Sequence, residues 1–287
     1  MGWLGYILCS AATLSLYDIC KKHSAEGNRT FSVLLLTTAT GFVAVACALA
    51  VRGRLGTALA LPPLHMLLLA VKSVIVATSW ALAYWSLKTL PLTVMAPIRA
   101  TGPIWTTFAA LFIFSEIPSA VQSIGFVLAF GGSYAFSLAT RREGFTMRTP
   151  SILLALGATL CGAASALYDK QLLHSVQIAP EAVLLWFMGG MTFIYSIACA
   201  LCRRFDKTPF IWRWSIPAVG ILLAISDFLY FSAISAPDAR ISILSTIRRS
   251  STILTFLVGG AVFRETNLLR KGIALAAILA GVFLLCI

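Results

Sequence analysis

The chain has 287 residues, of which 59% are hydrophobic and only 11% charged, with a formal net charge of +12. A soluble domain carries roughly 25% charged residues, so this composition excludes a single water-soluble globule, and a mean hydropathy of +0.92 agrees. Ten helices of about 20 apolar residues use about 200 positions and leave about eight or nine per connection, which excludes a separate nucleotide-binding or catalytic domain and a secreted disulfide scaffold.

Continuous apolar runs such as Phe31 to Val51 lack the alternation of an outer-membrane barrel strand, so helices are the spanning element. In chain order the predicted spans are 3–20, 31–51, 64–86, 91–114, 119–139, 150–169, 180–202, 212–234, 239–263 and 268–287. The breaks fall on clusters of charge, proline and small polar residues. Met1 to Tyr17 has neither a basic start nor a small-residue cleavage site, and reads as a retained first span. The seven cysteines are odd in number and without metal-type spacing, so they read as small packing residues. His23, His65 and His174 are far apart, and no metal site or cofactor is implied.

The sequence repeats itself. Leu16-Tyr17-Asp18 with His23-Ser24 recurs as Leu167-Tyr168-Asp169 with His174-Ser175, an offset of 151. Tyr84-Trp85-Ser86 matches Tyr230-Phe231-Ser232, Ile98-Arg99 matches Ile247-Arg248, Glu116 matches Glu265 and Gly132 matches Gly281. These landmarks keep one order, so 1–143 and 144–287 read as two copies of a five-helix unit. Five is odd, and the second copy must therefore enter the bilayer with opposite orientation. The expected fold class is an all-α polytopic membrane protein of ten transmembrane helices in two inverted-topology repeats, the architecture of alternating-access transporters with a site near the midplane.

Most Lys and Arg sit beside spans, where their ordinary role is topological rather than nucleic-acid binding. The odd-numbered connections hold 14 of them and the even-numbered ones four. By the positive-inside rule this places both termini outside the cytoplasm.

Lys72, Arg99, Arg248, Arg249 and Asp227 fall inside predicted spans, and Asp18 and Asp169 near span ends. A charge at a helix centre costs at least roughly 2.5 to 3.5 kcal/mol on insertion scales, so each needs a partner, water or a ligand. At 1.5 Å per residue Arg99 lies about 12 Å into helix 4 and Arg248 about 13 Å into helix 9. Depth in an inverted repeat pairs Asp18 with Arg99, Asp169 with Arg248 and Lys72 with Asp227. Asp18 also has Lys22 four residues on, which reads as a surface pair. The alternative to simple neutralisation is that Arg99 and Arg248 present guanidinium forks to a carboxylate or phosphate in a central cavity, favouring an anionic or zwitterionic substrate. Arg249, about 100° round the helix from Arg248, cannot serve the same spot.

Trp80, Tyr84, Trp85, Trp105, Tyr230 and Phe231 are candidate linings of that cavity. Asp18, Asp169, Asp227 and Lys72 are candidates for gating or coupling. Pro97, Gly102 and Pro103 interrupt helix 4, where a kink is expected. Helix 9 carries Ser250-Ser251 at the corresponding place. Gly125, Gly131, Gly132, Gly272 and Gly281 suit close helix packing.

The duplicated unit and the acid before the last helix of each half, in Phe114-Ser115-Glu116-Ile117-Pro118 and Phe263-Arg264-Glu265-Thr266-Asn267, resemble the drug/metabolite transporter superfamily, in particular its EamA-type ten-helix carriers. The family form of that turn is Gly-Glu-Arg-Pro-like, and here the Glu is kept in both copies while the Gly and the Arg are not. The resemblance implies a secondary carrier in a bacterial inner membrane, commonly an exporter, with helices 5 and 10 at the periphery. It also implies cytoplasmic termini, against the loop charge count.

The expected function is therefore secondary-active export of small polar metabolites such as amino acids or other anionic or zwitterionic compounds. Its partners would be a small-molecule substrate, the lipid bilayer and a proton or other coupling ion, with no nucleic acid, in a monomer or homodimer. The alternatives are a non-transporting membrane sensor or scaffold and an exporter of drugs. Neither a Gly-x-Ser-x-Gly elbow, a His-Glu-x-x-His helix nor a phosphate-binding Gly-x-x-x-x-Gly-Lys-Ser/Thr loop occurs, so an enzyme or an ATP-driven pump is not expected. Asn28-Arg29-Thr30 formally matches a glycosylation acceptor, which has no meaning in a bacterial inner membrane.

Overall fold

The computed structural model describes residues 3–102, 104–105, 119–141, 150–202, 208–234, 248, 251–264 and 267–285. Within these, the secondary structure is helical: α1 (Trp3–Ala25), α2 (Thr30–Val51), α3 (Leu55–Leu59), α4 (Pro63–Leu87), α5 (Leu92–Ala100), α6 (Ala120–Arg141), α7 (Pro150–Lys170), α8 (Pro180–Cys202), α9 (Ser215–Ile234), α10 (Ser251–Val262) and α11 (Leu268–Leu285). A π-helical turn, Gln171–Ser175, continues α7. Each predicted span overlaps one of these helices, and α3 is an addition in the 52–61 connection. Five stretches are long and apolar enough to cross a membrane, namely α2, α4, α8, α11 and Pro150–Leu173. Shorter apolar stretches are Ala120–Phe136, Ser215–Tyr230 and Ser251–Val262. Residues 142–149, with the expected boundary between the halves, lie outside the described residues.

Local chemistry sets the ends. Pro63, Pro150 and Pro180 open α4, α7 and α8, where a missing N–H has no helical partner to lose. Gly53, at φ +67°, closes α2: Arg54 N–H reaches the Leu49 carbonyl at 2.9 Å and Gly53 N–H the Ala50 carbonyl at 2.9 Å. That pair of bonds satisfies carbonyls the helix leaves open.

The expected end of the first span at residue 20 is corrected. α1 runs on to Ala25, because Lys21 and Lys22 are not loop charges but buried side chains. Lys22 Nζ donates to the carbonyls of Leu87 and Leu90 at 2.7 and 2.8 Å, serving the end of α4. Lys22 is thus no surface partner of Asp18. Lys271 is buried as well and donates to Thr93 Oγ1 at 3.0 Å. Removing these three from the 14 basic residues of the odd connections leaves 11 against four, so the charge asymmetry narrows and keeps its sign.

Packing joins the two halves to each other far more than it joins each half to itself. α1 lies along α9, α4 along α7, α2 along α8 and α6 along α11. Counting the spans in sequence, span 1 meets span 8 as span 6 meets span 3, while spans 2 and 7, 4 and 9, and 5 and 10 each meet their own counterpart. This is the contact set of a two-fold relation between repeats. Close approaches give the directions. A Cβ on Gly125 would lie 2.8 Å from the Gly281 carbonyl oxygen, and one on Gly132 2.8 Å from the Ile278 nitrogen. The α6 positions rise as the α11 positions fall, so the helices are antiparallel, as inversion requires.

The same symmetry governs a second crossing. Gly41 of α2 and Gly220 of α9 touch backbone to backbone, and Gly190 of α8 sits against Ser73 of α4. Gly190 follows Gly41 by 149 residues and Gly220 follows Ser73 by 147, so these are one contact made twice. Beyond each other, α6 and α11 meet little but α5, and their outer faces carry exposed Ile124, Val127, Tyr134, Leu269 and Ile273. Among the described residues helices 5 and 10 are peripheral, as the resemblance implied.

Candidate functional site

Among the described residues three ion pairs lie within the bundle. The first joins Asp18 in the last third of α1 to Arg99 in the last turn of α5, with Nη1 to Oδ1 2.5 Å. Thr255 of α10 stands 3.5 Å from the other Asp18 oxygen. This pairing is the one expected from depth.

The other two expected pairings are corrected. Lys72 of α4 pairs with Asp169 at the end of α7, and Arg248 pairs with Asp227 of α9. Lys72, Asp169, Asp227 and Arg248 all belong to the same membrane face, so depth permits either exchange of partners. Lateral packing decides it. α7 lies against α4 through Tyr168, whose hydroxyl donates to the Leu68 carbonyl at 3.1 Å, and through Ser79, which donates to the Ala158 carbonyl at 2.8 Å. That contact brings Asp169 to Lys72 and leaves Asp227 to Arg248.

Aromatic rings accompany each cation. Lys72 Nζ stands 4.9 Å from the centre of the Phe187 ring, and the Arg248 guanidinium 4.1 Å from that of Tyr230. Each contact gives a desolvated cation an attractive quadrupole beside its carboxylate. Asp227 follows Ser226, which is locked to Ser10 of α1 by hydroxyl and carbonyl hydrogen bonds of 2.8 to 3.2 Å.

Beside the Asp18–Arg99 pair is a group the sequence reading missed. Lys21, 2% exposed, holds its ammonium 5.0 to 5.3 Å from the ring centres of Tyr17, Trp80 and Tyr84. It donates to the Tyr17 hydroxyl at 3.2 Å. The signal was there, since Tyr17 and Lys21 stand four apart on one face of a helix. It was lost because a Lys-Lys pair reads as the end of a span.

The candidate aromatics divide. Trp80 packs on Tyr17, with ring centres 6.0 Å apart. Tyr84 has no accessible surface. Trp105 donates from its indole to Thr101 Oγ1 at 3.2 Å, one turn back. Trp85 is turned outward against Phe31. The side chain of Phe231 lies outside the described residues, as do Pro103, Arg249, Ser250, Glu116 and Glu265.

Helix 4 is interrupted as expected. α5 ends at Ala100, and Thr101 and Ile104 make three-residue turn bonds back to Ile98 and Thr101. Arg99 is therefore one residue from the break, in the last turn, where a cation complements the helix dipole. Every other residue of α5 is buried, but the Arg99 side chain is 39% exposed. A charged side chain exposed on an otherwise enclosed helix calls for a partner, water or a ligand rather than acyl chains. Among the described residues no three His, Cys, Asp or Glu side chains gather as a metal site would require.

The model of the EamA-like transporter family matches residues 1–138, so over that stretch the chain is similar to that family, and the resemblance is borne out. No curated protein matches. A solved structure described only as the crystal structure of a protein superposes with a TM-score of 0.68 over 99% of this chain and 96% of that one, at 16% sequence identity. That likeness speaks for the fold alone. The chain is a multi-pass membrane protein whose residues 1–138 are similar to a transporter family.

Proposed function

We propose that the protein is a secondary-active transporter of the bacterial inner membrane that exports small anionic or zwitterionic metabolites, amino acids among them, by alternating access between the repeats of 1–143 and 144–287. The observation that carries this reading is Arg99, the one exposed residue of α5 (Leu92–Ala100). Its guanidinium has more donors than the single Asp18 carboxylate uses, and a substrate carboxylate or phosphate would take the free ones. Arg248 holds the corresponding place in the second repeat. Tyr230, Trp80, Tyr84 and Trp105 supply aromatic surface around the two arginines. Asp18, Asp169, Asp227 and Lys72 would exchange partners between inward-open and outward-open states, and an acid freed in that exchange would carry a coupling proton.

The test is flux in proteoliposomes over a panel of amino acids, carboxylates, sugar phosphates and cationic drugs, with native protein, Arg99→Ala and Arg248→Ala. Anion or zwitterion flux that both variants lose supports the reading. Flux of an anion that survives both makes the arginines structural counter-ions and overturns it.

A further inference from the structure

On the lipid side of the bundle, α2, α8 and α9 enclose a crevice of about 210 Å³. Its floor is Val45, Leu49, Leu184 and Ala224, all buried, and its outer wall is formed by Ile225 and Phe228, which are exposed. The volume falls below the roughly 300 Å³ at which small-molecule pockets begin, so it suits a chain segment rather than a whole metabolite. From Ala44 to Arg52 the crevice follows α2 for about 12 Å.

One end is charged and the rest is apolar. Arg52, the first residue after α2, lies in the lining with its guanidinium 4.3 Å above the Phe228 ring. Glu181 also stands at that end, but Arg54 holds it at 2.6 Å, and the three side chains together keep one positive charge. Among the described residues no carboxylate pairs with Arg52. A guanidinium at the membrane boundary over a narrow apolar slot matches the chemistry of a phosphate joined to an acyl chain.

We infer that this crevice binds an anionic phospholipid, with one acyl chain along α2 and α9 and the headgroup phosphate on Arg52. The site is independent of the transport reading, because it lies outside the three ion pairs.

The test is native mass spectrometry and thermal unfolding of the full-length protein titrated with phosphatidylglycerol, phosphatidylcholine or inorganic phosphate. Native protein is expected to retain phosphatidylglycerol in preference to phosphatidylcholine, and Arg52→Gln to lose about fivefold of that preference, the scale of one basic residue beside anionic headgroups. Ala48→Phe, at an exposed position of the crevice, should reduce retention of both lipids while Arg52 is intact. Equal retention of both lipids by native protein, an Arg52→Gln variant that keeps the preference, or stabilisation by phosphate alone equal to that by phosphatidylglycerol would each overturn the inference. Should Arg52→Gln fail to fold, retention unchanged in Ala48→Phe overturns it alone.

Discussion

Asp169 occupies in the second repeat the place Asp18 occupies in the first, yet Asp18 pairs with an arginine of α5 and Asp169 with Lys72 of α4. The backbone keeps the two-fold relation and the charges break it. The two aspartates, alike in position, therefore sit beside unlike cations on unlike helices.

The partner assignment is checked by double-mutant cycles on thermal unfolding. Lys72→Met with Asp169→Asn should show a coupling of about 0.5 to 3 kcal/mol, because each variant alone leaves a charge short of its partner. Lys72→Met with Asp227→Asn should be additive within about 0.5 kcal/mol. The reverse pattern would restore the pairing read from depth.

The duplicated glycine crossing predicts an asymmetric response to added methyl groups. A Cβ on Gly220 would collide with the Thr37 carbonyl oxygen, which is backbone, while one on Gly190 would collide with the Ser73 hydroxyl, which is side chain. Gly220→Ala should cost at least about 2 kcal/mol with no single side-chain rescue. Ser73→Ala should recover part of the smaller loss from Gly190→Ala. Unfolding temperatures of the four variants in detergent decide this, and equal losses at the two glycines would contradict the geometry.

Gly27, in the turn after α1, has φ +63°, and its repeat counterpart Gln177 has φ 57°. The first copy uses the residue that adopts this conformation freely, and the second copy holds a side chain in it at about 1 to 2 kcal/mol. Gln177→Gly should stabilise the protein by on the order of 1 kcal/mol, less the extra entropy of an unfolded glycine. A lower unfolding temperature would show that the Gln177 side chain contributes more than the strain removes.

Asn28 is fully buried, and its amide bonds both the N–H and the carbonyl of Ile211, at 3.0 and 2.6 Å. The formal glycosylation acceptor is thus a strut that fastens the end of α1 to the segment before α9. Asn28→Ala should cost about 1 to 3 kcal/mol by leaving two backbone groups without that amide. Asn28→Asp should cost nearly as much, since a carboxylate accepts from the N–H but has no donor for the carbonyl. Limited proteolysis across residues 208–214 reads the loosening directly.

The spans were legible because a bilayer requires about 20 apolar residues at a stretch, and the inversion was legible because an odd number of helices repeats. Asp18 with Arg99 was legible too, since each had one candidate at its depth. Lys72 and Asp227 were not. Depth fixes one coordinate, four charges shared it, and the other two coordinates come from side-chain packing that the sequence does not display. Lys21 and Lys22 were misplaced for a related reason: a lysine at a span end reads as solvated, although carbonyls and ring faces inside the bundle satisfy it equally well. α3, at five residues, is too short to leave a periodic signal.

The partner of Lys72 lies 97 residues further along the chain, and most helices likewise find their main neighbour in the other half. A ribosome delivering this protein therefore releases the first five helices before the surfaces that will cover them exist. Lys72 must reach the membrane while Asp169 is still unsynthesised, and the nascent first half has to wait beside the insertion machinery as an open shell. Assembly begins in earnest only with α7, so truncation beyond the midpoint removes more of the core than the number of residues lost suggests.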